Sequence, residues 1–311
     1  MTILVCGSIA YDNIMVFQDR FRNHILPEQI HILNVCFLVP DLRREFGGCA
    51  GNIAYNLHLL GADARIMATV GQDAAPYLQR LDELGLSREH VRELPDTFTA
   101  QAFITTDLDD NQITAFHPGA MMHSHENRVA EASGIRLGIV APDGREGMLE
   151  HAEQFAAAGI PFIFDPGQGL PMFSGEELRH FLQLASWCTV NDYEARMLCE
   201  KTGLDEKAIA AQLEALIVTR GGEGSHIYVK DELIEIPCVP VEHIADPTGC
   251  GDAYRAGLLY GLANAYDWTR TGRLASVMGA LKIVERGAQN HAPTRAEIAA
   301  TYERTFGEKP W

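Results

Sequence analysis

The segment Asp246-Pro247-Thr248-Gly249-Cys250-Gly251-Asp252-Ala253 directly precedes a stretch whose apolar residues have helical spacing. These apolar residues are Tyr254, Leu258, Leu259 and Leu262. Small residues let the backbone turn tightly, so successive N–H groups at the start of a helix point to one place. The helix dipole strengthens the attraction for a negative group there. The segment therefore predicts an anion-binding turn at the N-terminus of a helix.

A carboxylate in the first turn of that helix has two interpretations. Asp252 could simply cap the helix, because aspartate is a favoured capping residue. However, a carboxylate beside an anion hole is an unusual choice unless it takes a proton. Phosphoryl transfer to a hydroxyl needs this combination, because N–H donors neutralise the transferring group and a base receives the proton of the alcohol. Asp252 is therefore predicted to be a catalytic base.

A second glycine-rich segment, Phe46-Gly47-Gly48-Cys49-Ala50-Gly51-Asn52, also precedes a helix. Paired glycines allow a ligand to come close to the backbone, and the Asn52 side chain can both donate and accept hydrogen bonds. A simple turn from a loop into a helix explains the same residues equally well. Taken alone, the segment leaves a binding loop and a structural turn open.

Two further polar segments follow apolar stretches that are typical of strands. In Asn191-Asp192-Tyr193-Glu194, Asn191 and Glu194 could both face a hydrated Mg²⁺, which keeps several waters and takes few protein ligands. Taken alone, capping of a helix by Asn191 is the better interpretation. The segment Thr219-Arg220-Gly221-Gly222-Glu223-Gly224-Ser225 suits either contact with a nucleotide or a plain hairpin turn.

The composition indicates a globular chain with a strongly acidic surface. The 311 residues include 25 Lys and Arg against 42 Asp and Glu, a formal charge of −17. Such a surface repels phosphate backbones and anionic lipids, so neither nucleic acid nor membrane is an expected partner. No apolar run approaches the ~20 residues of a membrane-spanning helix, and Met1–Ser8 carries no basic leader.

The cysteines and lysines exclude several other classes. Seven cysteines are scattered without a CxxC pair, which predicts reduced thiols in a cytoplasmic protein. No lysine follows a glycine-rich loop, so a P-loop is excluded. A dinucleotide-binding fingerprint fails as well, because Tyr254 stands where Gly249-Cys250-Gly251 would need a third glycine.

Short apolar runs alternate with helical periodicity along most of the chain, which predicts a three-layer α/β fold with a mainly parallel sheet. The predicted strands are Ile3–Cys6, Ala64–Val70, Leu137–Ala141, Pro161–Phe164, Trp187–Val190 and Ala215–Thr219. The predicted helices are Gly51–Leu60, Ala74–Leu84, Gly147–Ala158, Glu176–Ala185, Glu194–Lys201, Gly251–Ala265, Trp268–Arg286 and Arg295–Phe306.

Two segments interrupt this alternation, residues 11–46 and 97–117. The second contains a predicted hairpin, with strands at 102–105 and 113–116 around a turn at Asp107–Asn111. Two excursions that pair with each other would form a small β lid over the carboxyl ends of the strands, where open α/β sheets bind ligands. We therefore expect residues 1–311 to form one domain that carries a lid.

Taken in order, Gly47-Gly48…Asn52, Asn191-x-x-Glu194, Thr219-Arg220-Gly221-Gly222-x-Gly224 and Asp246–Asp252 resemble the PfkB, or ribokinase-like, family of sugar and nucleoside kinases. The resemblance spans nearly the whole chain, and the Asp246–Asp252 segment is its most specific part. It implies the three-layer fold, ATP as phosphoryl donor, Mg²⁺ and, in many members, an activating monovalent cation such as K⁺.

The resemblance also implies a role for each matching residue. Asp252 would be the base, and the N–H groups of Gly249, Cys250 and Gly251 would form the anion hole. Asn191 and Glu194 would order the Mg²⁺ and its waters. Asp12, with Gly47, Gly48 and Asn52, would bind the sugar. Contact with ATP is implied for Asn191 and for a second set of residues, namely Thr219, Arg220, Gly221, Gly222 and Gly224.

Within the family, the segment Phe46–Tyr55 together with Ile113–Phe116 looks closest to bacterial and archaeal nucleoside kinases that act on adenosine and related purine ribosides. A nucleobase needs a flat apolar slot with a few polar groups. The predicted lid contains Phe17, Phe21, Phe37, Phe98, Phe103 and Phe116, which could line that slot or form the lid's own core. Gln101 and Gln168 are further candidates for contacts with the base or ribose.

These observations predict ATP-dependent phosphorylation of the 5′-hydroxyl of a purine nucleoside. The alternatives are a ribokinase- or fructokinase-type sugar kinase and, from another class, a nucleoside-binding protein without turnover. Pure binding would not need a base at Asp252. The edges of the lid could pair with a second copy, so both a monomer and a lid-mediated homodimer remain open.

Overall fold

The computed structural model describes residues 1–25, 34–109 and 111–311. In these ranges the strands are β1 Thr2–Cys6, β2 Ala10–Val16, β3 Asp41–Gly47, β4 Asp63–Gly71, β5 Ser87–Leu94, β6 Ala100–Thr106, β7 Gln112–His117, β8 Ile135–Val140, β9 Phe162–Phe164, β10 Trp187–Asn191, β11 Ala215–Thr219, β12 Ser225–Val229 and β13 Glu232–Ile236. The helices are α1 Cys49–Leu59, α2 Ala75–Glu83, α3 Arg145–Ala157, α4 Gly175–Leu184, α5 Asp192–Thr202, α6 Glu206–Ala210, α7 Cys250–Ala263, α8 Trp268–Ile283 and α9 Arg295–Phe306.

The main sheet has the strand order β13-β12-β11-β10-β9-β8-β1-β4-β5. The strands from β11 to β5 pair in parallel, and β12 and β13 extend the sheet as an antiparallel hairpin. Alternate residues of a strand point to opposite faces. Accordingly, Ile3 and Val5 of β1 pack in the core that also contains α1, α7 and α8, whereas Leu4 and Cys6 pack in the core beside α3 and α4. The predicted three-layer α/β fold is confirmed.

All six strands predicted from apolar runs are present, and their ends differ from the prediction by at most two residues. Strand β5 was not predicted, because Ser87–Leu94 is an edge strand whose sequence is mostly charged and polar. The β12–β13 hairpin and the short helix α6 were not predicted either. Like β5, these segments lack a long continuous apolar run.

A second sheet of order β3-β2-β6-β7 forms the lid. The predicted hairpin is confirmed as β6 and β7, and the two excursions pair through β2 and β6, with Ala10–Val16 alongside Ala100–Thr106. Residues 26–33 of the predicted first lid segment, and Asp110 of the predicted turn, lie outside the described residues.

The state of the cysteines and the hydrophobicity of the helices relate to two predictions made from the composition. All seven cysteines are free thiols, and Cys6 and Cys188 are buried. None of the helices in the described ranges combines the length and the hydrophobicity needed to cross a bilayer.

Candidate active site

A cavity of about 840 Å³ lies between the lid and the carboxyl ends of the parallel strands. Its floor includes residues that lie one to three positions after the ends of β1, β8 and β9, namely Ser8, Asp143 and Asp165. The start of α7 forms one wall and the lid sheet forms the roof. Open α/β sheets bind ligands at this edge. The cavity is therefore the candidate active site.

The predicted anion-binding turn begins α7. Gly249 has a φ of +78°, and a Cβ there would approach the Cβ of Ala288 to 2.8 Å, so the turn requires glycine. In the described part of the chain, the N–H groups of Gly249 and Gly251 have no hydrogen-bond acceptor. The third predicted donor differs, because the N–H of Cys250 donates to the carbonyl of Pro247 over 3.1 Å. The structure therefore leaves two of the three predicted donors free for an anion.

Asp252 lies in the first turn of α7 and lines the cavity beside these donors. Its Oδ2 accepts a hydrogen bond of 2.8 Å from the side-chain amide of Asn52. Burial raises the pKa of Asp252 to about 6, although the hydrogen bond from Asn52 and the charge of Arg255 act in the opposite direction. A carboxylate with this pKa is ionised at neutral pH and is basic enough to take a proton from a substrate.

The orientation of Asn52 is fixed by residues that sequence reasoning missed. Gln289 donates from Nε2 to Oδ1 of Asn52 over 2.9 Å and to the hydroxyl of Tyr77 over 2.8 Å. The Tyr77 hydroxyl in turn donates to the carbonyl of Gly47 over 2.8 Å. With its oxygen bonded to Gln289, the Asn52 amide can only present its NH₂ group to Asp252. No local pattern in the sequence connects Gln289 or Tyr77 with this site.

A buried ion pair lies next to the base. The guanidinium of Arg255 donates to both carboxylate oxygens of Asp165, over 2.9 and 3.0 Å, and both side chains are almost fully buried. Arg255 is three residues after Asp252, so both project from one face of α7. That spacing, and the position of Asp165 directly after an apolar strand, were the available signals in the sequence, and neither residue was predicted.

Asp12 of β2, the predicted sugar-binding carboxylate, lines the cavity from the lid. Burial, followed by the charges of Asp246 and Glu45, raises the pKa of Asp12 to about 6. Gly47 lies against this carboxylate, since a Cβ there would come within 2.6 Å of Asp12 Oδ2. Gly48 lines the cavity and has a φ of +87°, and a Cβ there would meet the backbone of Ala10 at 2.6 Å. Gly47 thus permits close packing against Asp12, and Gly48 permits close approach to the backbone at the start of β2.

Asn191 and Glu194 form a reciprocal capping box at the start of α5. The Asn191 side chain accepts from the N–H of Glu194 over 2.7 Å, and the Glu194 carboxylate accepts from the N–H of Asn191 over 2.8 Å through Oε2. Both residues also line the cavity, and burial raises the pKa of Glu194. Oε1 of Glu194 has no hydrogen bond within the described ranges. One free carboxylate oxygen in a cavity fits a Mg²⁺ that keeps most of its waters.

The predicted nucleotide-contact turn is not part of the described cavity lining. Thr219, at the end of β11, pairs with Asn191 in the sheet, so the turn lies close to the α5 start. Arg220 is engaged with Glu223 over 2.6 Å, and space next to Gly221 and Gly222 is open. A Cβ at Gly224 would come within 2.0 Å of the carbonyl oxygen of Ile236. Close packing in a hairpin turn therefore explains why this residue is glycine.

The residues that were predicted to contact the base lie on two different faces of the lid sheet. Ala102, Ile104, Thr114 and Phe116 line the cavity. Gln101 and Phe103 alternate with Ala102 and Ile104 along β6 and therefore point to the opposite face. There the Gln101 amide donates to Asp73 over 2.8 Å and accepts from Asn13 over 3.2 Å. The prediction that Gln101 and Phe103 contact the substrate is corrected, whereas Gln168 does line the cavity.

Of the six lid phenylalanines considered, all described by the structure, Phe116 alone lines the cavity. Phe17, Phe21 and Phe37 pack on one another with ring centroids 4.8–5.9 Å apart, so they form a small core within the lid. The alternative of a lid core is therefore correct for these three residues.

A further carboxyl was not predicted. Asp143 follows β8, lines the cavity and is 3% exposed. Its Oδ1 accepts from the N–H of Gly144 over 2.9 Å, and burial raises its pKa to about 8. With Asp12, Asp165, Glu194 and Asp252, it makes a strongly acidic cavity in which Arg255 is the one basic side chain among the described lining residues.

Comparison with known proteins gives a family match over most of the chain. The family model described as pfkB family carbohydrate kinase matches residues 12–295. The nucleoside kinase of Methanocaldococcus jannaschii is 32% identical over 277 residues, which cover 87% of this chain and 90% of that protein.

Solved structures of the nucleoside kinase of Burkholderia thailandensis are more similar. Its complex with inosine is 61% identical, has a TM-score of 0.91 and is matched over 99% of both chains. Its complex described as containing ADP-inosine is 62% identical with a TM-score of 0.88, over 99% of this chain and 97% of that one.

Proposed function

The chain belongs to the pfkB family of carbohydrate kinases and is a phosphotransferase that acts on a hydroxyl group, and on that premise we propose that it transfers the γ-phosphoryl group of ATP to the 5′-hydroxyl of a purine nucleoside. The observation that carries the proposal is the half-buried Asp252 carboxylate, which faces the same cavity as the free N–H groups of Gly249 and Gly251.

In the proposed step, the nucleoside O5′ attacks the γ-phosphorus in line, a new O–P bond forms and the bond to the departing ADP breaks. Asp252 receives the O5′ proton, and its orientation comes from the Asn52 amide 2.8 Å away. The N–H groups of Gly249 and Gly251 stabilise the charge that develops on the transferring phosphoryl oxygens. Closure of the lid would exclude water, which otherwise competes as acceptor.

Substrate binding is assigned to both sides of the cavity. We assign the ribose hydroxyls to Asp12, beside Gly47 and Gly48, because this carboxylate faces the cavity without a hydrogen-bond partner in the described chain. Phe116 would contact the base from the lid, and Gln168 would offer it a hydrogen bond. The 61% identity with a kinase solved with inosine supports a purine ribonucleoside as the ligand.

The donor nucleotide is assigned to the start of α5 and the adjacent turn, Thr219–Gly224. Glu194 would hold Mg²⁺ through water, with Asn191 fixing the carboxylate by the capping box. When bound, the metal ion neutralises charge on the phosphates of ATP. We also propose that residues 1–311 form a single kinase domain, with lid segments at about 11–46 and 97–117.

A ribokinase- or fructokinase-type sugar kinase is the second candidate. It is favoured by one observation, namely that Phe116 is the single member of the six described lid phenylalanines to line the cavity. A base slot would therefore depend on this one ring and on aliphatic neighbours such as Ile104 and Met121.

The experiment that separates the candidates is ADP release from Mg·ATP with adenosine, inosine, guanosine, cytidine, ribose and fructose as acceptors. We expect turnover with purine nucleosides and negligible turnover with free sugars. Turnover with ribose or fructose alone would overturn the nucleoside assignment but keep Asp252 as the base. If no acceptor is phosphorylated and nucleosides still raise the thermal unfolding temperature, the chain is a binding protein and the kinase proposal fails.

A further inference from the structure

The ammonium group of Lys282 is a buried charge with unusual partners. Lys282 lies near the end of α8 and its side chain has no exposed surface. Its Nζ donates to the backbone carbonyl of Asp246 over 2.6 Å and to that of Glu285 over 3.1 Å. Within the described residues, no carboxylate lies within 4.0 Å of this ammonium. Carbonyl oxygens, and not a counter-ion, therefore solvate the charge.

The hydrogen bond from Lys282 holds Asp246, which is the first residue of the segment that contains the anion-binding turn. The carbonyl of Ile283 accepts from the N–H groups of Ala245 and Asp246, over 2.9 and 3.1 Å. The Asp246 carboxylate accepts from the N–H groups of Gly287 and Thr248, over 2.9 and 2.8 Å. Lys282 thus completes a network that joins the segment before Gly249 to the end of α8.

A positive charge among backbone carbonyls is also what a bound monovalent cation would provide. Carbonyl oxygens replace the water shell of K⁺ when they surround it, and a lysine ammonium is a compact point charge of the same sign. The resemblance to PfkB kinases implies K⁺ as a possible activator. Here the carbonyls of Asp246 and Glu285, which join the anion-binding turn to α8, are already occupied by the Lys282 ammonium.

We infer that the Lys282 ammonium is a built-in cation that holds the anion-binding turn in place, and that the enzyme does not require K⁺ for this purpose. Lys282 is then a positioning residue, because it acts through the backbone of Asp246. The inference rests on the proposed phosphoryl transfer for its kinetic readout, but a stability measurement tests it independently.

The kinetic test compares KCl with choline chloride at equal ionic strength. The wild-type rate is expected to be the same in both salts. Lys282→Ala removes the charge and leaves space, so its rate in choline should fall by about 100-fold as the turn loses its position, and K⁺ or NH₄⁺ should restore most of it. Lys282→Met removes the charge but fills the space, so neither cation should restore its rate.

The stability test measures thermal unfolding of the same three proteins without substrates. K⁺ should raise the unfolding temperature of Lys282→Ala above its value in choline, and should leave that of the wild type unchanged. A wild-type protein that needs K⁺ for its rate or its stability would overturn the inference. An unimpaired Lys282→Ala variant in choline would overturn it as well. If no acceptor is phosphorylated at all, the unfolding temperatures still decide between these outcomes.

Discussion

The side-chain amide of Asn52 donates to Oδ2 of Asp252 over 2.8 Å, and this hydrogen bond joins two residues that are 200 positions apart. Gln289 fixes the direction of that amide by bonding its oxygen. The carboxylate proposed as the base is therefore oriented by the helix that follows the glycine-rich loop, while its own helix supplies the anion-binding donors. Substrate and phosphoryl group would meet where α1 and α7 begin.

Asp252→Asn should bind nucleoside and Mg·ATP with nearly unchanged affinity, because the amide keeps the shape and the contact with Asn52. Its kcat should fall by about 10²- to 10⁴-fold, the usual contribution of a general base. Steady-state kinetics measure the rate, and calorimetry measures nucleoside binding. A kcat within tenfold of the wild type would show that Asp252 is not the base.

The pH dependence of kcat/KM should have an acid limb near pH 6. Asp252 must be ionised to accept a proton, and its pKa is about 6, so activity is lost as pH falls through that value. Arg255 lowers the pKa of Asp252, so in Arg255→Met the limb should move to higher pH. A limb that stays in place when the charge of Arg255 is removed would contradict this electrostatic coupling.

Arg255→Met should reduce the free energy of unfolding by about 3–5 kcal/mol, because it leaves Asp165 buried without its partner. The double variant Arg255→Met/Asp165→Leu should recover part of that loss. The control is Arg20→Met, which removes an exposed ion pair with Asp109 of similar length, 2.8 Å, and should have a much smaller effect because solvent screens the pair. Urea unfolding compares the three variants, and equal losses in both single variants would refute the argument from burial.

Phe116→Ala should raise the KM for a purine nucleoside by about tenfold, since contact of a base with an aromatic ring is worth roughly 1–3 kcal/mol. Phe103→Ala is the matched control. The two rings have similar exposure, 49% and 41%, but lie on opposite faces of the lid sheet. The KM of the Phe103 variant should therefore remain unchanged. Equal effects from both variants would indicate a general disturbance of the lid.

The unliganded protein should become less stable as pH rises from 7 to 8. Asp143 has a pKa of about 8 in the folded protein, well above the 3.8 of an ordinary aspartate, so between these values the folded state holds a proton that the unfolded state has lost. Over this window one such proton changes the free energy of unfolding by up to about 1.4 kcal/mol per pH unit. Asp143→Asn should be more stable than the wild type at pH 8 and should lack most of this slope. Chemical denaturation at both pH values measures it, and an identical slope in the variant would exclude Asp143 as its source.

The parts of the fold that could be predicted are those with a strong local signal. The buried parallel strands are continuous apolar runs. The glycine-rich turns before α1 and α7 can be recognised in the sequence because glycine is required there. Strand β5 could not be recognised, since Ser87–Leu94 lies at the edge of the sheet and carries charged residues. In such a segment pairing with a neighbour, rather than composition, determines the structure.

In the candidate site, too, contacts between distant residues determine features that local sequence patterns do not predict. The choice between Phe103 and Phe116 depends on the register of the lid strands, because a shift of one residue exchanges the two faces. The hydrogen bonds of Gln289 and the pairing of Arg255 with Asp165 depend on contacts across 237 and 90 positions, which no local pattern encodes. Residue types in motifs indicated the chemistry, whereas the groups that orient them became visible only in three dimensions.

The long separation of Asn52 and Gln289 also affects how the protein is made. At 5–20 residues per second, a ribosome needs roughly 12–50 s to translate the 237 positions between them. Both lid strands that pair in parallel, and all nine described strands of the main sheet, are complete before Gln289 is made. A chain released early from the ribosome could therefore build the roof of the cavity, yet it would lack the group that orients Asn52 toward the base.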